Sequence, residues 1–260
     1  MATSFQTCPK CGHTRRPEET AAPELCPACG LYFSKWATRE SFVPADHRPV
    51  AAEYQEPAWR AELRQRLTHV PELPPASIYG RAALLLLFFV WGIRLASMDY
   101  RSGEMGNSFM HAILLPIHEA GHILFMPFGE FMTILGGSLF QLLLPLIAAA
   151  TVLWQNRDTF GAALGVWWCG VSLMDLAAYI YDAKNPQLIL LGGHTGEEGP
   201  HDWIYLLGVF GKVQQSPTYG FVSHKMGLLL MLAAVFWAAT VLWRMWKLCT
   251  KTEKFDAFDE

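Results

Sequence analysis

The chain has 260 residues, of which 52% are apolar and only 17% charged. A soluble domain carries about a quarter charged residues, so an ordinary water-soluble protein is excluded, as are disorder, collagen and a disulfide-stapled miniprotein. The formal net charge of −3 gives no reason to expect nucleic acid as a partner. The charges are also unevenly spread. Residues 1–79 carry 9 Lys/Arg and 9 Asp/Glu, whereas residues 80–248, more than twice as many, carry 9 and 10. The first part reads as water-soluble and the second as a membrane domain. The expected fold class is an all-α polytopic membrane protein of five or six spans with a small N-terminal zinc-ribbon module.

Four of the six cysteines form two knuckles, Cys8-Pro9-Lys10-Cys11-Gly12 and Cys26-Pro27-Ala28-Cys29-Gly30. Each CxxCG turns tightly enough to offer two thiolates to one ion, and two of them make a closed tetrahedral four-cysteine site suited to structural zinc. No signal peptide directs this end to an oxidising compartment, so reduced thiols in the cytoplasm are expected rather than disulfides. Residues 1–41 are read as this ribbon, which resembles the rubredoxin-knuckle type. The metal would replace the core that so short a piece cannot build. The module is expected to recognise a protein partner or to regulate access to the membrane domain. Cys169 and Cys249 lie in or beside apolar segments, where buried free thiols are expected.

Residues 42–79 read as a linker, broken by Pro44, Pro49, Pro57, Pro71, Pro74 and Pro75. Within it, Ala58 to Val70 has the pattern of a short amphipathic helix, with Trp59, Leu63 and Leu67 on one side. Residues 80–248 are read as the membrane domain and 249–260 as a charged tail.

Five apolar segments are long enough to cross a bilayer: Ala82–Met98, Asn107–Phe128, Phe131–Asn156, Phe160–Tyr181 and Met226–Trp243. Trp203–Gly211 is apolar but short, and would make a sixth crossing or a re-entrant segment. Arg244, Lys247, Lys251 and Lys254 follow the last span and place that flank in the cytoplasm. A cytoplasmic ribbon as well requires an even number of crossings. The membrane expected is a bacterial inner membrane.

The second span contains His118-Glu119-Ala120-Gly121-His122. One helical turn separates the two histidines, so both imidazoles can reach one zinc ion, and Glu119 lies beside them. Glu119 would act as general base toward the attacking water and then as proton donor to the leaving amine. His111, His118, Glu119 and His122 crowd an otherwise apolar segment, and each costs a few kcal/mol in lipid unless paired or metal-bound.

HEAGH in a membrane helix resembles the site-2 protease family of intramembrane zinc metallopeptidases, and is closer to its small peptidase-like branch. The resemblance covers about residues 80–248 and is strongest at His118, Glu119 and His122. It implies two histidine ligands, a catalytic glutamate and membrane-associated protein or peptide substrates. The stretch Gly136-Gly137-Ser138-Leu139-Phe140-Gln141 is similar to the region that follows the family's active-site helix. The family's aspartate ligand from an LDG motif has no counterpart here.

A catalytic zinc needs three protein ligands and an open position, so a substitute is required. Asp182, at the end of the fourth span, is one candidate; His201 or Asp202, after the glycine-rich loop 192–199, is the other. Asp175 is expected to pair with Arg94 or to be a hydrogen-bonded core acid, and His111 to sit outside the ligand set. Gln141 or Asn107 could donate to an oxyanion. Gly136, Gly137, Gly161 and Gly165 favour close helix packing or a cleft.

The function expected is hydrolysis of peptide bonds in membrane-associated substrates, with two zinc ions, one catalytic and one structural. The alternative is a non-catalytic membrane zinc protein that keeps the site as a scaffold or sensor. A prenyl-protein protease is a further rival; a di-iron oxidase would need histidine boxes that are absent.

Overall fold

Residues 5–36 and 56–256 are described in a computed structural model, and the chain divides into two compact units between Pro57 and Ala58. Residues 37–41 of the expected ribbon, the linker prolines Pro44 and Pro49, and residues 257–260 lie outside the described residues.

The first unit consists of two similar turns. Isolated antiparallel bridges, Thr7 to Thr14 and Leu25 to Tyr32, close one knuckle each. Gly12 and Gly30 adopt φ of +73° and +69°, the left-handed region that only glycine enters without strain. Each thereby turns its N–H back onto a carbonyl, that of Cys8 or Cys26, at 2.9 Å. The Arg15 guanidinium donates to the carbonyls of Ala21, Ala22 and Leu25 and so ties one knuckle to the other. The only apolar support among the described residues is Phe33 with Phe5, Leu31 and the cysteines.

The second unit is helical: α1 Ala58–Thr68, α2 Pro75–Ala96, α3 Phe109–Phe125, α4 Glu130–Gln155, α5 Thr159–Asp182, α6 Asp202–Val209 and α7 Ser216–Asp256. Local chemistry sets the starts. Pro74 and Pro75 open α2, where a missing N–H is harmless. Ser108 caps α3 by accepting from the His111 amide, and Asp158 caps α5 by accepting from Gly161.

Among the described residues, five helices are long and apolar enough to span a membrane: α2, α3 with its following turn, α4, α5 and α7. Leu86, Leu87, Val90 and Ile93 on α2 and Phe109, Ile123 and Leu124 on α3 are exposed. Apolar surface of that extent belongs against lipid. The chain is an integral membrane protein.

Two sequence expectations shift. The helix expected within the linker forms as α1 but belongs to the membrane unit, and the linker stops short of residue 79 because α2 begins at Pro75. Arg66 Nη1 donates to the Trp154 carbonyl, Thr159 Oγ1 to the carbonyls of Arg66 and His69, and Trp237 Nε1 to that of Leu67. The stretch Trp203–Gly211 becomes the eight-residue α6; at 1.5 Å per residue it is about 12 Å long and cannot cross.

α5 is the central helix, with 72% of its apolar window buried against at most 28% for the others. Gly170 and Gly227 let α5 and α7 meet backbone to backbone, since a Cβ on Gly170 would lie 2.8 Å from the Gly227 carbonyl oxygen.

Contacts along the bundle fix helix direction. Ile78 near the start of α2, Phe160 at the start of α5, and Val241 and Met245 late in α7 share one buried cluster. These form the basal end. α4 ends there too, because Val152 and Ala149 meet Gly161 and Gly165. Early in α3, Met110 and Ile113 face the cleft lined by Ala149, Val152 and Gly161, whereas Gly121 and Phe125 lie against Gly136 near the start of α4. α3 therefore runs in the same direction as α2. It starts part-way up, where Phe109 stacks on Trp91 at 6.2 Å. α2, α4, α5 and α7 make four full traverses, and both flanks of the membrane unit emerge at the basal end. The connections 97–108 and 183–201 gather at the opposite, loop end, where Gly103 abuts Leu188.

Candidate metal centre

His118 and His122 project from successive turns of α3, with ring centroids 4.9 Å apart. Each ring is held from behind. His118 Nδ1 lies 3.0 Å from Gln141 Oε1, and His122 Nδ1 lies 2.8 Å from the Thr133 carbonyl. Both partners are acceptors, so each Nδ1 donates backwards and Nε2 is the ring atom left to face a metal ion. The two Nε2 atoms converge on a single oxygen: Asp202 Oδ2 is 2.9 Å from His118 Nε2 and 3.3 Å from His122 Nε2.

Asp202 arrives from a distant part of the chain. It opens α6, whose N-cap is His201, the His201 ring accepting from the Ile204 amide. The Asp202 amide donates to Tyr179 Oη at 2.9 Å, and the Tyr179 ring packs on His118 and His201. α5 thus aims the carboxylate at the two histidines.

The ligand atoms of His118, His122 and Asp202 all lie within 4.8 Å of one another and could hold a metal ion. Two neutral imidazoles and a carboxylate match the three-ligand sets of hydrolytic zinc sites, which keep a fourth position open. Glu119 lines the same cavity of about 590 Å³ beside both histidines.

The other candidates have different surroundings. Asp182 Oδ1 accepts from the amides of Gln187 and Leu188, and Oδ2 lies 3.5 Å from His201 Nε2. That carboxylate ties down the turn after α5 and does not face α3. His201 has one ring nitrogen on its own helix start and the other toward Asp182. Asp175 meets no Arg94; it contacts His111 Nδ1 at 2.8 Å and accepts from Gln141 Nε2 at 2.9 Å. Gln141 is not free to serve as an oxyanion donor, because its amide nitrogen is committed to Asp175 and its oxygen to His118. Asn107 lines the cavity wall.

Gly137 has a more specific place than helix packing alone requires. A Cβ there would lie 2.5 Å from His118 Nε2 and 2.6 Å from His122 Nε2. Only a residue without a side chain leaves both rings room. Gly136 meets Gly121 in the same way, its Cβ falling 2.6 Å from the Gly121 carbonyl oxygen, which lets α4 approach the histidine helix closely.

The first unit holds the second cluster found among the described residues, Cys8, Cys11, Cys26 and Cys29. Sγ of Cys8 lies 3.7 Å from that of Cys29, as does Cys11 from Cys26. Burial opposes ionisation of the Cys8 thiol, but the amides of Cys11 and Lys10 and neighbouring sulfhydryls outweigh it and lower its pKa to about 6. The His13 backbone favours the Cys11 thiolate, yet the crowding of Cys29, Cys8 and Cys26 pushes that thiol up to about 12. All four could be thiolates together at this spacing only with a cation between them. The cluster can hold a metal ion.

Comparison with protein-family models, with curated proteins and with solved structures finds no match for this chain.

Proposed function

We propose that the chain is a membrane-embedded zinc metallopeptidase that hydrolyses peptide bonds of membrane-associated substrates. The observation that carries this reading is the convergence of His118 Nε2, His122 Nε2 and Asp202 Oδ2 in a cavity shared with Glu119. Asp202 is the third ligand in this reading, in place of Asp182 or His201. The resemblance of His118, Glu119 and His122 to the site-2 protease motif supports it.

A zinc ion held there would polarise the scissile carbonyl and acidify water. The protein's own groups do the rest. Glu119 accepts the proton of the attacking water and passes it to the departing amine nitrogen. Gln141 and the Thr133 carbonyl keep both imidazoles in the tautomer that exposes Nε2. The four-cysteine module would carry a second, structural zinc, which leaves no open position for chemistry.

Glu119→Gln tests this reading. Purified in detergent and given membrane-anchored reporter peptides, the variant should retain its metal and lose cleavage by about 10²–10⁴-fold, the usual weight of a general base. Equal cleavage by both forms would remove Glu119 from the chemistry, and none by the unaltered chain would favour a non-catalytic metal protein.

A further inference from the structure

We infer that the cavity opens on the extracytoplasmic face of the membrane, and that its substrates are polypeptides anchored in the bilayer and cut close to that surface. The side of opening rests on geometry and charge alone; the word substrate rests on the function proposed above.

The cavity belongs to one end of the bundle. Its lining comes from α3, from Gln141, from the last turns of α5, and from the connections that carry Ser102, Gly106, Leu190, His194 and Pro200. Among the described residues, none of α2 or α7 lines it. Along α5, Phe160 at the basal end precedes Asp175 in the cavity by fifteen residues, about 22 Å of helix. Leu95, Leu114, Trp167, Val171 and Met174, each at most 1% exposed, pack the core between, and the apolar cleft lined by Met110, Ile113, Ala149, Val152 and Gly161 shares no lining residue with the cavity. Water and a peptide can therefore reach Glu119 from the loop end and not from the basal end.

Charge says which end faces the cytoplasm. Arg64, Arg66, Arg81, Arg157, Arg244 and Lys247 all belong to the basal end, on α1, on the start of α2, between α4 and α5, and late in α7. The loop end carries Arg94, Arg101, Lys184, Lys212 and Lys225 among Asp99, Glu104, Glu130, Glu197 and Glu198, fewer basic residues than the basal end, where Arg60, Lys251 and Lys254 join those just named. Basic residues within reach of span ends are retained on the cytoplasmic side. The basal end is therefore cytoplasmic, and the mouth of the cavity faces away from it.

The mouth also indicates what it receives. Ile189 and Leu191 are 72% and 62% exposed beside the lining residues Leu188 and Leu190. His118 lies seven residues below the end of α3, so about 10 Å in from the loop end. A peptide bond near the interface, attached to an apolar anchor, reaches that depth without unwinding a whole span.

Cysteine labelling tests the assignment independently of any activity. Glu197→Cys and Ser102→Cys place thiols on exposed positions of the two loop-end connections, and Gln65→Cys places one on α1. The full-length variants are expressed in a bacterial host and treated with a membrane-impermeant maleimide, and the labelled peptides are identified by mass spectrometry. In intact spheroplasts, positions 197 and 102 should react and position 65 should not; in opened membranes all three should react. A thiol at 197 or 102 that reacts only after opening, or not at all, overturns the proposal, as does labelling of position 65 in intact spheroplasts. Loss of peptidase activity with this labelling pattern preserved would instead count against the proposed function alone.

Discussion

His118 and Asp202, 84 residues apart in the chain, bring a ring nitrogen and a carboxylate oxygen to 2.9 Å, and the same oxygen lies 3.3 Å from His122. The other nitrogen of each imidazole faces an acceptor, Gln141 Oε1 or the Thr133 carbonyl, so both Nε2 atoms are left aimed at that one carboxylate oxygen. On the function proposed above, a cation between them would satisfy all three lone pairs. Asp202→Ala should therefore remove one of two bound zinc ions per chain, while Asp182→Asn, which alters only the turn after α5, should leave both. Metal analysis of the purified variants decides it. The converse pattern would make Asp182 the ligand.

Gly137 supports the same site from the facing helix. Its missing Cβ is what leaves both Nε2 atoms clear, and an alanine would intrude to 2.5 Å, inside van der Waals contact. Gly137→Ala should fold, since α4 gains a better helix former, yet lose the membrane-site zinc and with it cleavage. Circular dichroism and metal content on one sample separate the two effects. An alanine variant with full metal occupancy would show that the rings can retreat.

Gln141 joins two buried groups: its oxygen faces His118 Nδ1 and its nitrogen donates to Asp175. Gln141→Leu removes the acceptor that fixes the His118 tautomer and strands the buried carboxylate oxygen. Loss of such an outer partner typically weakens metal affinity or activity about 10–100-fold. Gln141→Glu restores an acceptor for His118 but sets a second carboxyl against Asp175, so it should recover zinc affinity only in part. Zinc competition titrations measure both. A leucine variant with unchanged affinity would make Gln141 a packing residue.

Much of this architecture was legible in the sequence because lipid imposes a simple rule: long uncharged runs must be helices. The five long apolar helices and the two one-turn histidines follow from periodicity and charge scarcity. Helix direction was not legible, because α3 runs parallel to α2 only by virtue of the returning connection 97–108, whose short 3₁₀ turns carry no apolar pattern. The choice among Asp182, His201 and Asp202 was also hidden. All three are ligand types near one loop, and only the cap made by His201 and the bond from the Asp202 amide to Tyr179 determine which of them faces α3. The roles of Gly170 and Gly227 were hidden for the same reason: a close crossing of α5 and α7 leaves no mark on either helix alone.

The four-cysteine unit should depend on its metal in a way the membrane unit does not. Its apolar support is little more than Phe5, Leu31 and Phe33 around the cysteines, far short of what a domain of this size needs to fold by burial. Binding free energy in such modules is folding free energy. Cys26→Ser, at a position only 1% exposed, should reduce the zinc content by one and abolish amide protection across residues 5–36. The helices around Ala163 and Ala177, both fully buried in α5, should exchange as slowly as before. Hydrogen exchange read by mass spectrometry on the full chain reports both units together. Protection of residues 5–36 that survives loss of the metal would mean that the two knuckles are held by their backbone bridges and Arg15 rather than by an ion.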